Sequence, residues 1–169
     1  LIIAIVLIAL ASLVLGMGLP VTAAYIVLGT LSAPALFNLI ADVQVIQAIT
    51  DGTLPEQART IMMISIPDAL TALAQPMPYD QAAALYDGIP IDLKSTVRDI
   101  ALDPAVAMTA LLAAHLIIFW LSQDSNVTPP VCLTAFTVAA IAKTPPMATG
   151  MTSWKIAKGL YIMPLLFAY

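Results

Sequence analysis

The residues that could do chemistry are concentrated in one short polar segment, residues 122–130, which lies between two apolar stretches. It reads Ser-Gln-Asp-Ser-Asn-Val-Thr-Pro-Pro and contains Asp124, the only acidic residue outside residues 42–103. Hydroxyl and carbonyl oxygens in such a break can coordinate a cation such as Na⁺, and the positive N-terminal end of a helix favours an anion. A charge placed centrally in a membrane helix costs roughly 2.5–3.5 kcal/mol on insertion scales. We therefore expect Asp124 to face a cavity or a partner, the alternative being an interfacial position.

A second break in an apolar stretch occurs at residues 16–20, Gly-Met-Gly-Leu-Pro. Glycine loosens the backbone and proline removes a donor, so these residues end a helix. In hydrocarbon, every backbone polar group must be paired, and non-helical backbone survives only inside protein or beside a water-filled cavity. One break could be an ordinary kink. Two breaks, one of them rich in polar residues, indicate a transporter binding site and predict that the breaks approach each other.

The composition predicts an all-α integral membrane protein. Of 169 residues, 61% are hydrophobic and 9% charged, against roughly 45–50% and about 25% in soluble domains. The net charge of −4 offers no basic stripe for nucleic acid. A single cysteine, Cys132, excludes a disulfide framework, and no His/Cys cluster suggests a metal site. No G-x-x-x-x-G-K loop for ATP occurs.

The apolar stretches and their breaks divide the chain into three parts. Residues 1–41 predict a re-entrant hairpin or a broken helix, with the break at 16–20 and a kink at Pro34. Residues 42–103 predict a small helical insertion outside the membrane. Residues 104–169 predict a broken transmembrane helix, capped by Asp103 and interrupted at 122–130, and a final helix over residues 153–169. Because the chain starts with Leu1 in an apolar run, we expect further membrane segments upstream.

The insertion is acidic and amphipathic. It carries nine of the ten acidic residues and three basic ones, a net charge of −6. Its prolines predict helix starts at Pro55, Pro67 and Pro78, and Gly88 predicts a helix end. Two apolar faces are expected, one with Leu93, Val97, Ile100 and Ala101 and one with Ile61, Met62 and Ile64.

The lysines predict the topology. Lys143, Lys155 and Lys158 cluster around the connection before the last helix and indicate that this connection is cytoplasmic. One crossing through residues 104–142 then puts the insertion on the extracytoplasmic face. His115 lies in an apolar helix, where we expect its side chain to form a hydrogen bond between helices. The alternative is that it contacts a proton or the solute.

Several motifs, in order, resemble those of one family. Residues 15–27 are similar to a G-M-G-L-P-T-T-A-A-Y stretch of the large membrane subunit of tripartite ATP-independent periplasmic (TRAP) transporters. Residues 113–116 resemble its A-A-H-L and residues 125–131 its S-D-I-T-P-P-V. Residues 146–150 follow the P-M-x-T-G of its D-P-M-x-T-G, and residues 164–169 resemble its closing P-F-L-F-V-Y. The likeness covers about residues 1–40 and 105–169, the C-terminal portion of the family's pattern. It is closest to the fused permeases of the TAXI branch.

The resemblance implies a Na⁺-driven symporter of the elevator type, in a bacterial or archaeal cytoplasmic membrane, with no other cofactor. Solute, often a carboxylate such as a C4-dicarboxylate, would arrive on an extracytoplasmic solute-binding protein. A small membrane subunit or a fused N-terminal portion would complete the transporter. The ion- and solute-binding residues implied are Gly16, Gly18, Pro20, Thr22, Asp124, Ser125, Asn126, Thr128, Pro129 and Pro130. Of these, Na⁺ would lie at Gly16, Gly18, Ser125, Asn126 and Thr128.

Two departures and three alternatives accompany the resemblance. Asn126 stands where the family often has Asp, and the insertion replaces a short connection. Another carboxylate/Na⁺ symporter family could use the same broken-helix physics. A scaffold subunit would have continuous helices. An intramembrane enzyme would need paired catalytic groups, for which only Asp124 and His115 are available.

Overall fold

The computed structural model describes residues 1–66, 72–73 and 75–169, and helix is the only regular structure within these ranges. A 3₁₀ turn, Asp124–Asn126, follows the sixth helix. The helices are α1 Ile2–Gly16, α2 Val21–Thr50, α3 Glu56–Ser65, α4 Tyr79–Asp87, α5 Ile91–Ala101, α6 Pro104–Ser122, α7 Leu133–Ala142, α8 Pro146–Ile156 and α9 Gly159–Ala168. The chain forms two compact units, residues 1–37 with 111–169 and residues 38–110.

The helices of the first unit have surfaces suited to lipid. Val21–Thr50 and Pro104–Asn126 are long and apolar enough to cross a membrane, and α1 and α7 are shorter apolar helices. Large apolar side chains point outward in this unit: Ile3 is 77% exposed, Leu31 76% and Ile141 78%. Water would penalise such a surface, whereas hydrocarbon tolerates it.

The start of α6 follows the expected capping chemistry. The backbone N–H of Ala105 donates to Asp103 Oδ1 at 2.8 Å, and Pro104 occupies the first helical position, where its missing N–H is harmless. The N-cap predicted at Asp103 is therefore confirmed.

Helix α2 extends further than the apolar stretch alone indicates. It is continuous from Val21 to Thr50, with Pro34 inside it, so residues 41 and 42 lie within one helix. Beyond Asp42, the apolar side chains of Val45, Ile46 and Ile49 are buried in the core of the second unit. Packing in the core of the second unit thus stabilises the helix beyond Asp42.

The last apolar stretch, residues 153–169, is not one continuous helix. Two helices occupy this region, because α8 ends at Ile156 and α9 starts at Gly159. Ala157 leaves the helical region with ψ at 17°, and its N–H donates to the Ser153 carbonyl at 2.9 Å. Helix α8 instead begins at Pro146, in what was expected to be a connection.

The second unit confirms short helices that begin at prolines. Pro55, Pro78 and Pro90 are the N-cap residues of α3, α4 and α5, and Gly88 is the C-cap of α4. Pro67, also expected to start a helix, lies outside the described residues.

The apolar faces expected in the insertion are right in part. Met62 and Val97 are fully buried, with Ile100 and Ala101 partly buried against the same core. Ile64, however, is 78% exposed. Residues two apart on a helix point about 200° away from each other, so Ile64 cannot share a face with Met62.

An ion pair explains how Asp42 fits inside α2. Arg98 Nη1 on α5 lies 3.1 Å from Asp42 Oδ1 and also donates to the Asn38 carbonyl at 3.5 Å. The hydroxyl of Tyr86 on α4 donates to the same Asp42 oxygen. Burial, and then the bond to Asp42, raises the pKa of Tyr86 above its usual range. These contacts join three helices around one carboxylate.

Candidate functional site

The first interruption, residues 16–20, leaves one backbone carbonyl open. Helix α1 ends at Gly16, and the N–H groups of Gly18 and Leu19 both donate to the Leu15 carbonyl, at 3.1 and 2.9 Å. The next N–H in register for the Gly16 carbonyl would come from position 20, but proline has none. The Gly16 carbonyl therefore accepts no hydrogen bond from any described residue.

The second interruption, residues 122–130, opens two more carbonyls by the same means. The N–H groups of Val127 and Thr128 donate to the Asp124 carbonyl at 3.1 and 2.9 Å. Pro129 and Pro130 stand four residues after Ser125 and Asn126 and have no N–H to offer. Within the described parts of the chain, the carbonyls of Ser125 and Asn126 accept no hydrogen bond.

The two interruptions meet, as predicted from the sequence. Gly16 packs directly against Ser125, so closely that a Cβ at Gly16 would overlap the Cβ and Oγ of Ser125. Nearby, the fully buried Ser12 hydroxyl donates to the Leu121 carbonyl at 2.9 Å and fastens α1 to the end of α6. Glycine is needed at position 16 because any side chain would push the interruptions apart.

A polar cluster surrounds Asp124, which is only 5% exposed. Its Oδ1 accepts the hydroxyl of Tyr161 at 2.6 Å and that of Thr128, and these two hydroxyls lie 2.7 Å from each other. Trp154 Nε1 donates to the Tyr161 hydroxyl at 3.1 Å. The last two helices thus hold the second interruption through one carboxylate.

Tyr161 and Trp154 were not among the candidates chosen from sequence. One signal was available, because a tyrosine or tryptophan in an apolar helix needs a partner for its polar tip. The sequence does not say which partner, since Tyr161 lies 37 residues from Asp124.

The remaining candidate residues occupy less enclosed positions. Gly18, Pro20 and Thr22 are exposed, and nothing lies within 4 Å of a Cβ built at Gly18. Asn126 is partly buried, and its side-chain amide donates to Gln123 Oε1 at 3.5 Å. The structure therefore brings Gly16 and Ser125 into contact but leaves Gly18 and Thr22 at the surface of the first interruption.

His115 belongs to a separate contact between α2 and α6. Its Nδ1 lies 3.2 Å from the Tyr25 hydroxyl, and the ring of Tyr25 also meets Phe119 edge-on at 5.7 Å. His115 and Asp124 thus have different hydrogen-bond partners. This is the bonding between helices expected of His115.

A close approach between α7 and α8 accounts for the last glycine of the P-M-x-T-G motif. A Cβ built at Gly150 would lie 2.5 Å from the buried Cys132 Sγ. Cys132 is a small buried residue at the start of α7. Among the described residues, no group of three His, Cys, Asp or Glu side chains could hold a metal ion.

Beside the second interruption lies a cavity of about 720 Å³. Helix α1 supplies much of its apolar wall, and Asp124, Thr128, Trp154 and Tyr161 form its polar part. Another cavity, of about 740 Å³, lies between α7 and α8 and has several threonines in its wall. The first of these cavities places an open space next to the second interruption.

Apolar helices interrupted at two points, with the open ends in contact inside the protein, define a membrane transport protein. The chain belongs to the family described as the tripartite ATP-independent periplasmic transporter, DctM component, which it matches over residues 1–169. No curated protein and no solved structure matches it. The family is one of transporters, and the match confirms the resemblance to the large TRAP subunit over the other symporter families considered.

Proposed function

We propose that this chain is the C-terminal part of a Na⁺-coupled permease that imports organic anions, with carboxylates as the main class. By its membership of the DctM family, the permease would receive solute from an extracytoplasmic solute-binding protein. It would act with a small membrane subunit or a fused N-terminal portion, as in the TAXI branch, and move by an elevator mechanism. The membrane would be the cytoplasmic membrane of a bacterium or archaeon, and Na⁺ would be the sole cofactor.

The observation that carries the proposal is the set of open carbonyls at Gly16, Ser125 and Asn126. Three prolines remove the N–H groups that would otherwise pair with them, and Gly16 and Ser125 are in contact. Unpaired carbonyls inside a membrane protein are costly unless a ligand compensates them. Unwound carbonyls are the groups that coordinate Na⁺ in transporters with broken helices.

Gly18 and Thr128, the other two residues expected to bind Na⁺, have different surroundings from the three open carbonyls. The Thr128 hydroxyl already forms hydrogen bonds with Asp124 and Tyr161, so it stabilises the second interruption through these contacts. Gly18 is exposed beside the first interruption. We assign the ion to the carbonyls of Gly16, Ser125 and Asn126, with Thr128 shaping the site and Gly18 outside it.

The anionic group of the solute would be held by the helix starts that follow the interruptions. The first N–H groups of α2 and α7 have no partner within their helices, and Cys132 gives α7 no side-chain cap. The positive end of a helix dipole at such a start favours a carboxylate. Ion and solute would thus use opposite ends of the same two breaks.

The test measures uptake by the complete transporter in proteoliposomes, with its solute-binding protein supplied outside. Uptake should require an inward Na⁺ gradient and continue without ATP. Replacing Pro20 by Ala gives position 20 an N–H that competes for the Gly16 carbonyl. A hydrogen bond of about 0.5–1.5 kcal/mol should raise the Na⁺ concentration for half-maximal uptake roughly 2- to 13-fold.

Pro34→Ala is the matched control, because it also replaces a proline by a residue with an N–H but lies inside α2, away from both interruptions. Its Na⁺ dependence should equal that of the unaltered protein. Uptake that ignores Na⁺ at a fixed membrane potential would contradict the symport proposal. If Pro20→Ala and Pro34→Ala show the same Na⁺ dependence, the Gly16 carbonyl is not a ligand of the ion.

A further inference from the structure

The two carboxylate oxygens of Asp124 have different surroundings. Oδ1 accepts both nearby hydroxyls, those of Tyr161 and Thr128. Oδ2 accepts no hydrogen bond from the described residues, and none of their cationic side chains forms an ion pair with Asp124. A carboxylate on a side chain only 5% exposed, with no cationic partner, is costly, and a cationic ligand would compensate it.

Asp124 lines the 720 Å³ cavity, so a ligand in that cavity can reach it. The size is within the range of cavities that enclose small organic molecules, about 300–1,000 Å³. Most of the wall is apolar and comes mainly from α1, including Ile5 and Leu13. The polar groups lie together at the Asp124 end. Such a cavity suits a ligand with an apolar body and one cationic group.

We propose that this cavity is the solute site and that its Asp124 end binds an ammonium group. An ammonium has three N–H donors, and the cluster offers three oxygen acceptors: Asp124 Oδ2, Thr128 Oγ1 and Tyr161 OH. The rings of Trp154 and Tyr161, which also line the cavity, add attraction for an organic cation. A bare Na⁺ would gain nothing from the apolar wall, whereas the carbon skeleton of an organic solute is buried there.

The inference rests on the proposed function and narrows its solute class. A carboxylate solute of the proposed class that also binds Asp124 through an ammonium carries both groups together, as an amino acid does. A plain dicarboxylate would bring its second negative charge towards Asp124, and like charges at close range repel. The predicted solutes are therefore amino acids or similar zwitterions with an apolar portion.

Matched pairs of ligands test the ammonium site directly. The two members of each pair share one carbon skeleton, and one carries an amino group where the other carries an oxo group. We would measure equilibrium binding to the purified complete permease, with and without Na⁺, for alanine and pyruvate, leucine and 4-methyl-2-oxopentanoate, and glutamate and 2-oxoglutarate. In at least one pair the amino acid should bind about 10-fold tighter or more, since hydrogen bonds to charged groups are the strong ones. Asp124→Asn should abolish that preference.

Asp99→Asn is the control, because it removes an exposed carboxylate of the second unit and should leave the preference intact. Tighter binding of the oxo acid in every pair, equal binding within every pair, or no binding of any amino acid would overturn the inference. So would an Asp124→Asn variant that weakens Na⁺ binding but keeps the preference. A preference that needs Asp124 but is indifferent to Na⁺ would support the ammonium site and contradict the Na⁺-coupled function.

Discussion

Replacing Gly16 by Ala should loosen the contact between the two interruptions and weaken Na⁺ binding. The new Cβ would overlap the Cβ and Oγ of Ser125, while Ser125 Cα lies 3.6 Å away. Ordinary carbon contacts are about 3.5–4.0 Å, so the interruptions must separate by roughly 1.5 Å. Overpacking of this kind costs about 1–3 kcal/mol. If the cost falls on the ion-bound state, the Na⁺ concentration for half-maximal uptake rises about 5- to 150-fold.

Gly18→Ala is the natural control, since it lies two residues away and a Cβ there meets nothing within 4 Å. Both variants would be compared by Na⁺ titration of uptake in proteoliposomes, with the melting temperature of the purified protein showing that each folds. Adding Ser125→Gly to Gly16→Ala removes the overlapped side chain and should restore most of the Na⁺ affinity, which a double-mutant cycle would measure. If Gly16→Ala titrates like Gly18→Ala, the reasoning from the Gly16–Ser125 contact is refuted.

Two further predictions concern packing and topology. Gly150→Ala should lower the melting temperature, because its new Cβ would meet Cys132 Sγ, whereas Gly159→Ala should not, because its new Cβ meets nothing. In a Cys132→Ala background, Gly150→Ala should regain the lost melting temperature. If it does not, the contact with Cys132 is not the cause of the destabilisation. The insertion should lie on the extracytoplasmic face, where its −6 charge favours a contact role over attraction of anionic solute. Single cysteines would replace the exposed residues Asp51, Asp80 and Asp92, each in a Cys132→Ala background. They should react with an impermeant thiol reagent on intact cells. Reaction only after the membrane is permeabilised would show that the topology is the reverse of the one predicted.

The interruptions could be predicted from sequence because their cause is local. Glycine and proline change the backbone where they stand, and both breaks are found where Gly16–Pro20 and Ser122–Pro130 place them. The N-cap at Asp103 and the proline starts of α3 and α4 follow from equally local chemistry. The TAXI branch, the solute and the coupling ion stay predictions.

One error in the sequence interpretation, at Asp42, involves a partner distant along the chain. Asp42 marks the start of an acidic segment, but in the structure it stays inside α2, where Arg98, 56 residues away, neutralises it. Residues 153–169 contain apolar residues sufficient for one helix, yet the chain turns between α8 and α9. Periodicity cannot show which charge a carboxylate will meet or where two helices must diverge to pack.

The sequence by itself determined that this protein is helical, belongs in a membrane and has two breaks, because composition and backbone chemistry are properties of each residue. The tertiary structure alone decided that Gly16 lies on Ser125 and that Tyr161 and Thr128 share one oxygen of Asp124. The Gly16–Ser125 contact joins residues about a hundred positions apart, and the bond from Tyr161 to Asp124 joins residues 37 apart. They depend on how whole helices pack, which is a collective outcome of many weak apolar contacts and is encoded in no single motif.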